Sequence, residues 1–408
     1  MWRCRTYHPP FLVFLPPLPK ETNFETFAST CRIKLSEALV AIPPLAGRFV
    51  ARDGGNLAVD CNDAGVQFRT AVAYSPLPRK LGSGVTLNGT EPLSFEVPGA
   101  GGDVPLLLMQ VTHFHDDRLC VSFGFHPMFT DGWGAATFAG YWAHLMRGEK
   151  PPVGLEYARP TNLQASGRPL ASRYHPALCT APPFALRIEA FISFLPRGLP
   201  QVQVIHHRCF FPTAQLKGLA RTESRQVTRL VILQNGRKII PIRTGYVGNV
   251  LIPHRTGPIA VEHLCAEPLT WSARLVRAAV RRADSGFVQA TVDWVTAQPD
   301  VAAVRLQADH HRGPDVCIAS APDLPLASLD LGFGQPLSLG QAHSSSASDG
   351  LVLLTAYDEN GGGVCADVSL LEGLMRALLA DTAFKRFTKA SRTPVKRWDD
   401  GQFYRPYV

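Results

Sequence analysis

No stretch of this chain approaches the ~18–20 consecutive apolar residues that a helix needs to cross a bilayer. The opening segment, MWRCRTYHPPFLVFLPPLPK, has only a short apolar run broken by prolines and is not expected to act as a secretory signal. Cysteine pairs of the C-x-x-C kind are missing too. The nine cysteines (Cys4, Cys31, Cys61, Cys120, Cys179, Cys209, Cys265, Cys317, Cys365) are scattered and odd in number, the usage of a cytosolic protein with reduced thiols. There is no glycine-rich phosphate loop of the P-loop or dinucleotide type. Lysines and arginines are not concentrated among aromatics, and the net charge of +8 is modest for this length, so a nucleic-acid interface is not expected. A mild positive field would still suit an anionic small substrate. Internal repeats are absent, and the one low-complexity patch, residues 344–348, is an expected hairpin tip.

What remains is globular. With 408 residues, 46% apolar and 18% charged, the chain has material for two cores of roughly 150–200 residues each. Residues 150–184 are proline-rich and carry neither helical nor alternating periodicity, which makes them the expected crossover between domains at 1–149 and 185–408. Residues 23–42 repeat at helical spacing and stop at Pro43-Pro44. Residues 106–114 and 118–126 have the pattern of two strands joined at Asp116-Asp117. Beyond them, Phe138, Trp142 and Leu145 mark one apolar helix face. The second half mixes strands (202–211, 229–233, 351–355, 364–370) with helices near 261–282 and 371–386. This is an α+β pattern without regular βαβ alternation.

The chemistry concentrates in VSFGFHPMFTDGWG, residues 121–134. His126 ends a strand, a tight loop with Asp131 and Gly132 follows, and then a helix begins. An imidazole held there titrates near neutral pH and can take a proton from a nucleophile. Leu119, Val121, Phe123 and Phe125 fall on one strand face, and Cys120, Ser122, Gly124 and His126 on the other. The second face, lined by small residues, is expected to border a cavity.

Five segments then occur in order: PPLAGR (43–48), CNDAGVQF (61–68), His126 to Gly132, GYVGN (245–249) and DLGFGQP (330–336). Together they resemble the BAHD acyltransferases, whose patterns are close to PLAGR, H-H-x-x-x-D-G, YFGN and DFGWG, over about residues 12–387. The resemblance implies two α+β domains of chloramphenicol-acetyltransferase type, similar in size, with mixed sheets and a channel between them. It implies acyl-CoA as co-substrate, a small alcohol or amine as acceptor, no bound cofactor or metal, and a monomer in the cytosol with no membrane or nucleic-acid partner. It further implies that Asp131 is structural and pairs with an arginine, for which Arg237 is the candidate. Gly132 would keep the channel floor clear, and Asp330, Gly332 and Gly334 would form a remote supporting motif, with Phe333 in place of its usual tryptophan. A condensation-type domain acting on carrier-bound thioesters shares the histidine motif but would not be expected to carry the Asp330 segment.

The chain departs from the family at the base. Aligned without a gap on Asp131-Gly132, the position of the catalytic histidine is Pro127, and His126 is the companion residue. Alternatively the loop is one residue longer and His126 is the base. The first alignment describes an impaired enzyme or a non-catalytic binder; the second describes a shifted base. The segment 221–229 is also too short for an additional helix of the second domain, and the first strand is trimmed before Tyr7. His113 and His115, one strand face apart, invite a metal reading, but Asp116-Asp117 fits the turn and no second ligand group accompanies them. The pairs His206-His207 and His310-His311 would point to opposite sides of a strand. Arg274, Arg277 and Arg281 form a stripe that is either a solvated face or a contact for coenzyme phosphates.

Overall fold

The structure is a computed structural model that describes residues 11–52, 57–74, 104–170, 174–180, 204–212, 227–301, 304–306, 315–321, 323–324, 329–341, 350–357, 363–387 and 404–406. Strand β1 (Phe11–Leu15) leads to α1 (Phe24–Val40). Asn23 caps α1 by accepting the Thr26 N–H at 2.8 Å, and the helix ends ahead of Pro43, which cannot continue it. Strands β2 (Arg48–Ala51) and β3 (Leu57–Asp60) form a small antiparallel ribbon. Next, β4 (Gln67–Ala73) lies parallel to β5 (Leu107–Phe114), which turns back as β6 (Leu119–Phe125). Asp117 at that turn takes φ 62°, a conformation that aspartate tolerates better than most residues. Helix α2 (Gly132–Met146) follows, with Asp131 as its N-cap.

One face of β6 carries the first core. Val121, Phe123 and Phe125 pack with Phe27, Cys31 and Leu35 of α1 and with Phe138 and Trp142 of α2. Burying side chains such as Phe138 and Trp142 stabilises the fold by about 2–3 kcal/mol apiece. The opposite face is closed rather than lining a cavity at its centre. Cys120 and Ser122 are wholly buried, beside Phe14 and Leu12 of β1, because both faces of this sheet are covered. Only at the strand's end is His126 half-exposed.

The crossover carries β7 (Leu178–Thr180). His175 fastens it: Nδ1 accepts the Ala177 and Leu178 N–H groups at 3.1 and 3.0 Å, and Nε2 meets Thr291 Oγ1 at 3.0 Å. The second half then runs β8 (Val204–Pro212), β9 (Val227–Thr228), β10 (Leu230–Asn235), β11 (Leu251–Arg255) and β12 (Ile259–Ala260). The helical region expected over 261–282 is two helices, α3 (Val261–Ala266) and α4 (Leu269–Arg281), interrupted at Pro268. A further helix, α5 (Ser285–Thr296), is capped by Asp284. After β13 (Val304–Leu306) come β14 (Val316–Ala321), β15 (Ser338–Gln341), β16 (Leu351–Tyr357) and β17 (Gly363–Leu371). Helices α6 (Glu372–Ala380) and α7 (Thr382–Phe387) and strand β18 (Tyr404–Pro406) complete the described chain.

Two six-stranded mixed sheets result, ordered β15-β1-β6-β5-β4-β18 and β11-β10-β14-β16-β17-β8. Strands β15 and β18, from beyond residue 185, sit at the two ends of the first sheet, so division by sheet does not coincide with division along the chain. Among the described residues, no helix is long and apolar enough to cross a membrane. Residues 310–311, 344–348 and most of 221–229 lie outside the described residues, as do the side chains of His206 and His207.

Candidate active site

The site is built where β6 runs into α2. The His126 N–H donates to Leu106 O at 2.9 Å, extending the hairpin by one residue. The chain then turns sharply, and the Phe129 N–H donates to His126 O at 2.9 Å. Within this turn the Met128 N–H donates to His126 Nδ1 at 3.2 Å. The imidazole also meets Phe49 of β2 edge-on, with ring centroids 4.8 Å apart. Pro127, at the base position of the ungapped alignment, is buried and has no titratable atom. Its carbonyl accepts from Asn249 Nδ2 at 2.9 Å, and Asn249 Oδ1 in turn accepts the Leu251 N–H at 2.9 Å.

Asp131 organises the loop on the other side. Its side chain has no exposed surface. Oδ1 accepts the Gly134 N–H at 2.9 Å, capping α2, while Oδ2 accepts Arg237 Nη1 and the Val250 N–H, each at 2.7 Å. The structure therefore brings Arg237 to Asp131 across 106 residues of sequence. The other guanidinium nitrogen, Nη2, donates to the carbonyls of Gly248 at 2.6 Å and Tyr246 at 3.3 Å. Arg237 thus clamps the 245–249 segment of the second half onto the start of α2. Burial raises the Tyr246 hydroxyl pKa and keeps that phenol neutral.

Glycines permit this docking unequally. A Cβ on Gly134 would lie 2.2 Å from Val247 O, and one on Gly248 would lie 2.2 Å from Tyr246 Oη. Thr130 Oγ1 donates to the same Val247 carbonyl. Gly132, by contrast, would meet Phe11 at 3.4 Å and Leu324 at 3.9 Å, so its neighbourhood is close but not closed.

The remote motif lies at the other end of α2. A helix of 15 residues rises about 1.5 Å per residue, which puts roughly 22 Å between its ends. Asp330 Oδ1 accepts the N–H groups of Gly332 and Gly334 at 2.8 and 3.0 Å. Those glycines adopt φ of 105° and 116°, which side-chain-bearing residues rarely adopt. Arg147, the C-cap of α2, donates to Asp330 O, and Phe333 packs edge-on against Phe27 with centroids 5.5 Å apart. This tie supports the scaffold far from His126.

The remaining candidates are dispersed. His113 stacks on Phe24 with centroids 5.0 Å apart and lies 3.2 Å from the Asp117 carboxylate. Among the described residues, no group of three or more His, Cys, Asp or Glu side chains could hold a metal. Arg274, Arg277 and Arg281 all lie on the exposed face of α4. Three participants escaped sequence reasoning: Phe49, the Met128 N–H and the role of Asn249. Phe49 directly follows the PPLAGR segment and Asn249 ends the GYVGN segment, so both were marked as places without their partners being legible.

The two mixed sheets with their helices are a fold of chloramphenicol-acetyltransferase type. The Transferase family model matches residues 1–184 and 215–384, and the chain belongs to that family, the BAHD acyltransferases. It is 28% identical over 374 residues to hydroxycinnamoyltransferase 2 of Oryza sativa subsp. japonica, covering 83% of each chain. Vinorine synthase superposes with a TM-score of 0.65 at 18% identity, over 91% of this chain and 88% of that one. TRI101 of F. graminearum, solved with coenzyme A and deoxynivalenol, gives a TM-score of 0.73 at 15% identity, over 94% and 96% of the two chains.

Proposed function

We propose that this protein moves an acyl group from an acyl-CoA thioester to a small alcohol or amine, in a site whose base has been replaced by proline and whose turnover is correspondingly low. One observation carries the reading: the Asp131–Arg237 clamp is complete, while the base position beside it is a buried Pro127. A scaffold kept in order around a missing proton acceptor describes an enzyme weakened at one step. The hydroxycinnamoyltransferase relative supports an aromatic acyl group on the thioester, and the coenzyme A held by the fungal structural relative supports the donor class. Asp131, Gly132, Arg237, Asp330, Gly332 and Gly334 have structural roles in this reading. We take the protein to be a cytosolic monomer without nucleic-acid or membrane partners.

His126 is the alternative base, and the Met128 N–H already donates to its Nδ1 at 3.2 Å, which takes that nitrogen out of the role. The second reading, a relative that binds acyl-CoA without turning it over, is favoured by the same proline.

The test is thiol release from a hydroxycinnamoyl-CoA with alcohol acceptors, comparing the natural chain with Pro127→His. Restoring a base should raise the rate by ~10²–10⁴. Equal and robust turnover by both proteins would overturn the vacated-base reading. Binding of the thioester without turnover by either protein would select the non-catalytic relative.

A further inference from the structure

Helix α4 carries a charge pattern that the fold does not answer. Its sequence, LTWSARLVRAAVR, holds arginines and no acid. At the helical period, Arg274, Arg277 and Arg281 fall within about 60° of one another, in a stripe roughly 10 Å long. All three are exposed, while Ala279 is buried and Leu275 and Val276 are half-buried. None of the three makes an ion pair among the described residues. The acids that flank the helix are engaged elsewhere: Glu267 lies 3.3 Å from His263, and Asp284 caps α5 by accepting the Phe287 N–H at 2.8 Å. Arg274–Arg277 and Arg277–Arg281 are therefore uncompensated like-charge neighbours at i, i+3 and i, i+4, a spacing that weakens a helix. The C-terminal dipole offsets the charge of Arg281 alone, because it fades within the last turn.

The stripe points away from the candidate site. Leu251 of β11 joins Trp133 of α2, whereas Ile252, the next residue, packs with Val288 and Phe287 of α5 on the opposite face of the sheet. α4 runs beside β10 and β11, and its C-cap Arg282 acts electrostatically on His254, which shares the Ile252 face. α4 therefore covers the outer face, with the sheet between its arginines and α2. Coenzyme phosphates at the His126 site would lie on the other side.

We infer that the exposed face of α4 is a docking surface for an acidic protein segment, one with carboxylates at helical spacing. The surroundings of the stripe select that partner. It is one side chain wide and bordered by Thr270, Ala273 and Ala278, small residues that let a second helix approach closely. A lipid surface takes up large apolar side chains beside basic ones, and the exposed large apolar residue of α4 is Leu269 alone. Single-stranded nucleic acid stacks on aromatic platforms, and no exposed aromatic lies among these arginines. Guanidinium forks, by contrast, match carboxylates bidentately. The surface is independent of the acyl-transfer reading, since it shares no residue with His126, Pro127 or the Asp131–Arg237 clamp.

The experiment titrates the full chain with a labelled alanine-rich peptide of about 18 residues, its glutamates three and four residues apart, and follows fluorescence anisotropy. Replacing Arg274, Arg277 and Arg281 together by glutamine should weaken binding ~10-fold, the combined effect of three exposed ion pairs of ordinary strength. Glutamine at Lys20, Arg32 and Arg52 removes the same charge from exposed positions in the first half and should change affinity less than about 2-fold. Raising the salt from about 0.02 M to about 0.5 M should erase the difference between the two triple variants. The stripe variant should melt no lower than the natural chain, because two like-charge pairs are gone, and should bind a hydroxycinnamoyl-CoA unchanged. Equal weakening in both triple variants would overturn the inference, as would a natural chain that ignores the peptide. Stripe-dependent binding of phosphatidylserine vesicles or of an oligo(dT) strand, without binding of the peptide, would overturn it in favour of a lipid or nucleic-acid surface. Thioester binding lost with the stripe would overturn it in favour of coenzyme phosphates. Stripe-dependent peptide binding by a chain that binds no thioester would leave this surface standing while the acyl-transfer reading fell.

Discussion

Replacing Arg237 by leucine removes three hydrogen bonds, one to Asp131 Oδ2 and two to the Tyr246 and Gly248 carbonyls. It leaves a carboxylate with no solvent exposure and only two backbone N–H donors, from Gly134 and Val250. Breaking a buried ion pair from one side costs ~3–5 kcal/mol, since the stranded charge keeps its desolvation penalty. The two retained donors put Arg237→Leu at the lower end, about 3 kcal/mol, equivalent to a Tm lower by roughly 6–12 °C in a unit of about 200 residues. Urea unfolding of the natural chain, Arg237→Leu, Asp131→Ala and the double variant gives the cycle. Because each single variant strands the other partner, the double variant should cost about 2 kcal/mol less than the sum of the singles. A single cost under ~1 kcal/mol, or strict additivity, would show that Asp131 and Arg237 do not work as a clamp.

Two further outcomes follow from the same geometry. Gly134→Ala should cost at least ~2 kcal/mol, because the methyl would lie 2.2 Å from Val247 O; Gly140→Ala, in the same helix with open space at its Cβ, should stabilise by ~0.5–1 kcal/mol. Thermal melts of the two variants should move in opposite directions. Burial lowers the pKa values of His175 and His254 to about 4, with Arg282 adding to the effect at His254. A histidine lowered in the folded state stabilises fully above its unfolded pKa of ~6.5 and loses that contribution as pH falls toward 4. Stability should therefore decline across this window, and His175→Gln should reduce the slope; an unchanged slope would mean that His175 does not titrate with unfolding.

The parts of the fold legible in the sequence are those that local chemistry specifies. Asn23 and Pro43 bracket α1, Asp116-Asp117 turns the β5–β6 hairpin, and Phe138 and Trp142 mark the buried face of α2. Helix α5 was missed although Asp284 caps it and Val288, Thr291 and Trp294 form its buried face. The polar residues between them dilute the periodic signal. Strands β15 and β18 were illegible for a different reason: their partners, β1 and β4, lie more than 300 residues earlier in the chain. The small-residue face of β6 misled because side-chain size identifies a crowded position as readily as an open one, and Cys120 and Ser122 are crowded.

The site divides along the same line. That Pro127 falls at the base position of the ungapped alignment is visible in the sequence, because it depends only on counting back from Asp131. What His126 does in consequence is not visible there, because that depends on where one backbone N–H points. Proline fixes its own φ and supplies no N–H, so the first donor after the strand end is Met128, and the turn brings it onto Nδ1. In the proposed reading the proline removes a base and leaves Met128 to supply the N–H that meets His126 Nδ1. Pro127→His should then raise thiol release from the thioester, and an unchanged rate would refute that reading.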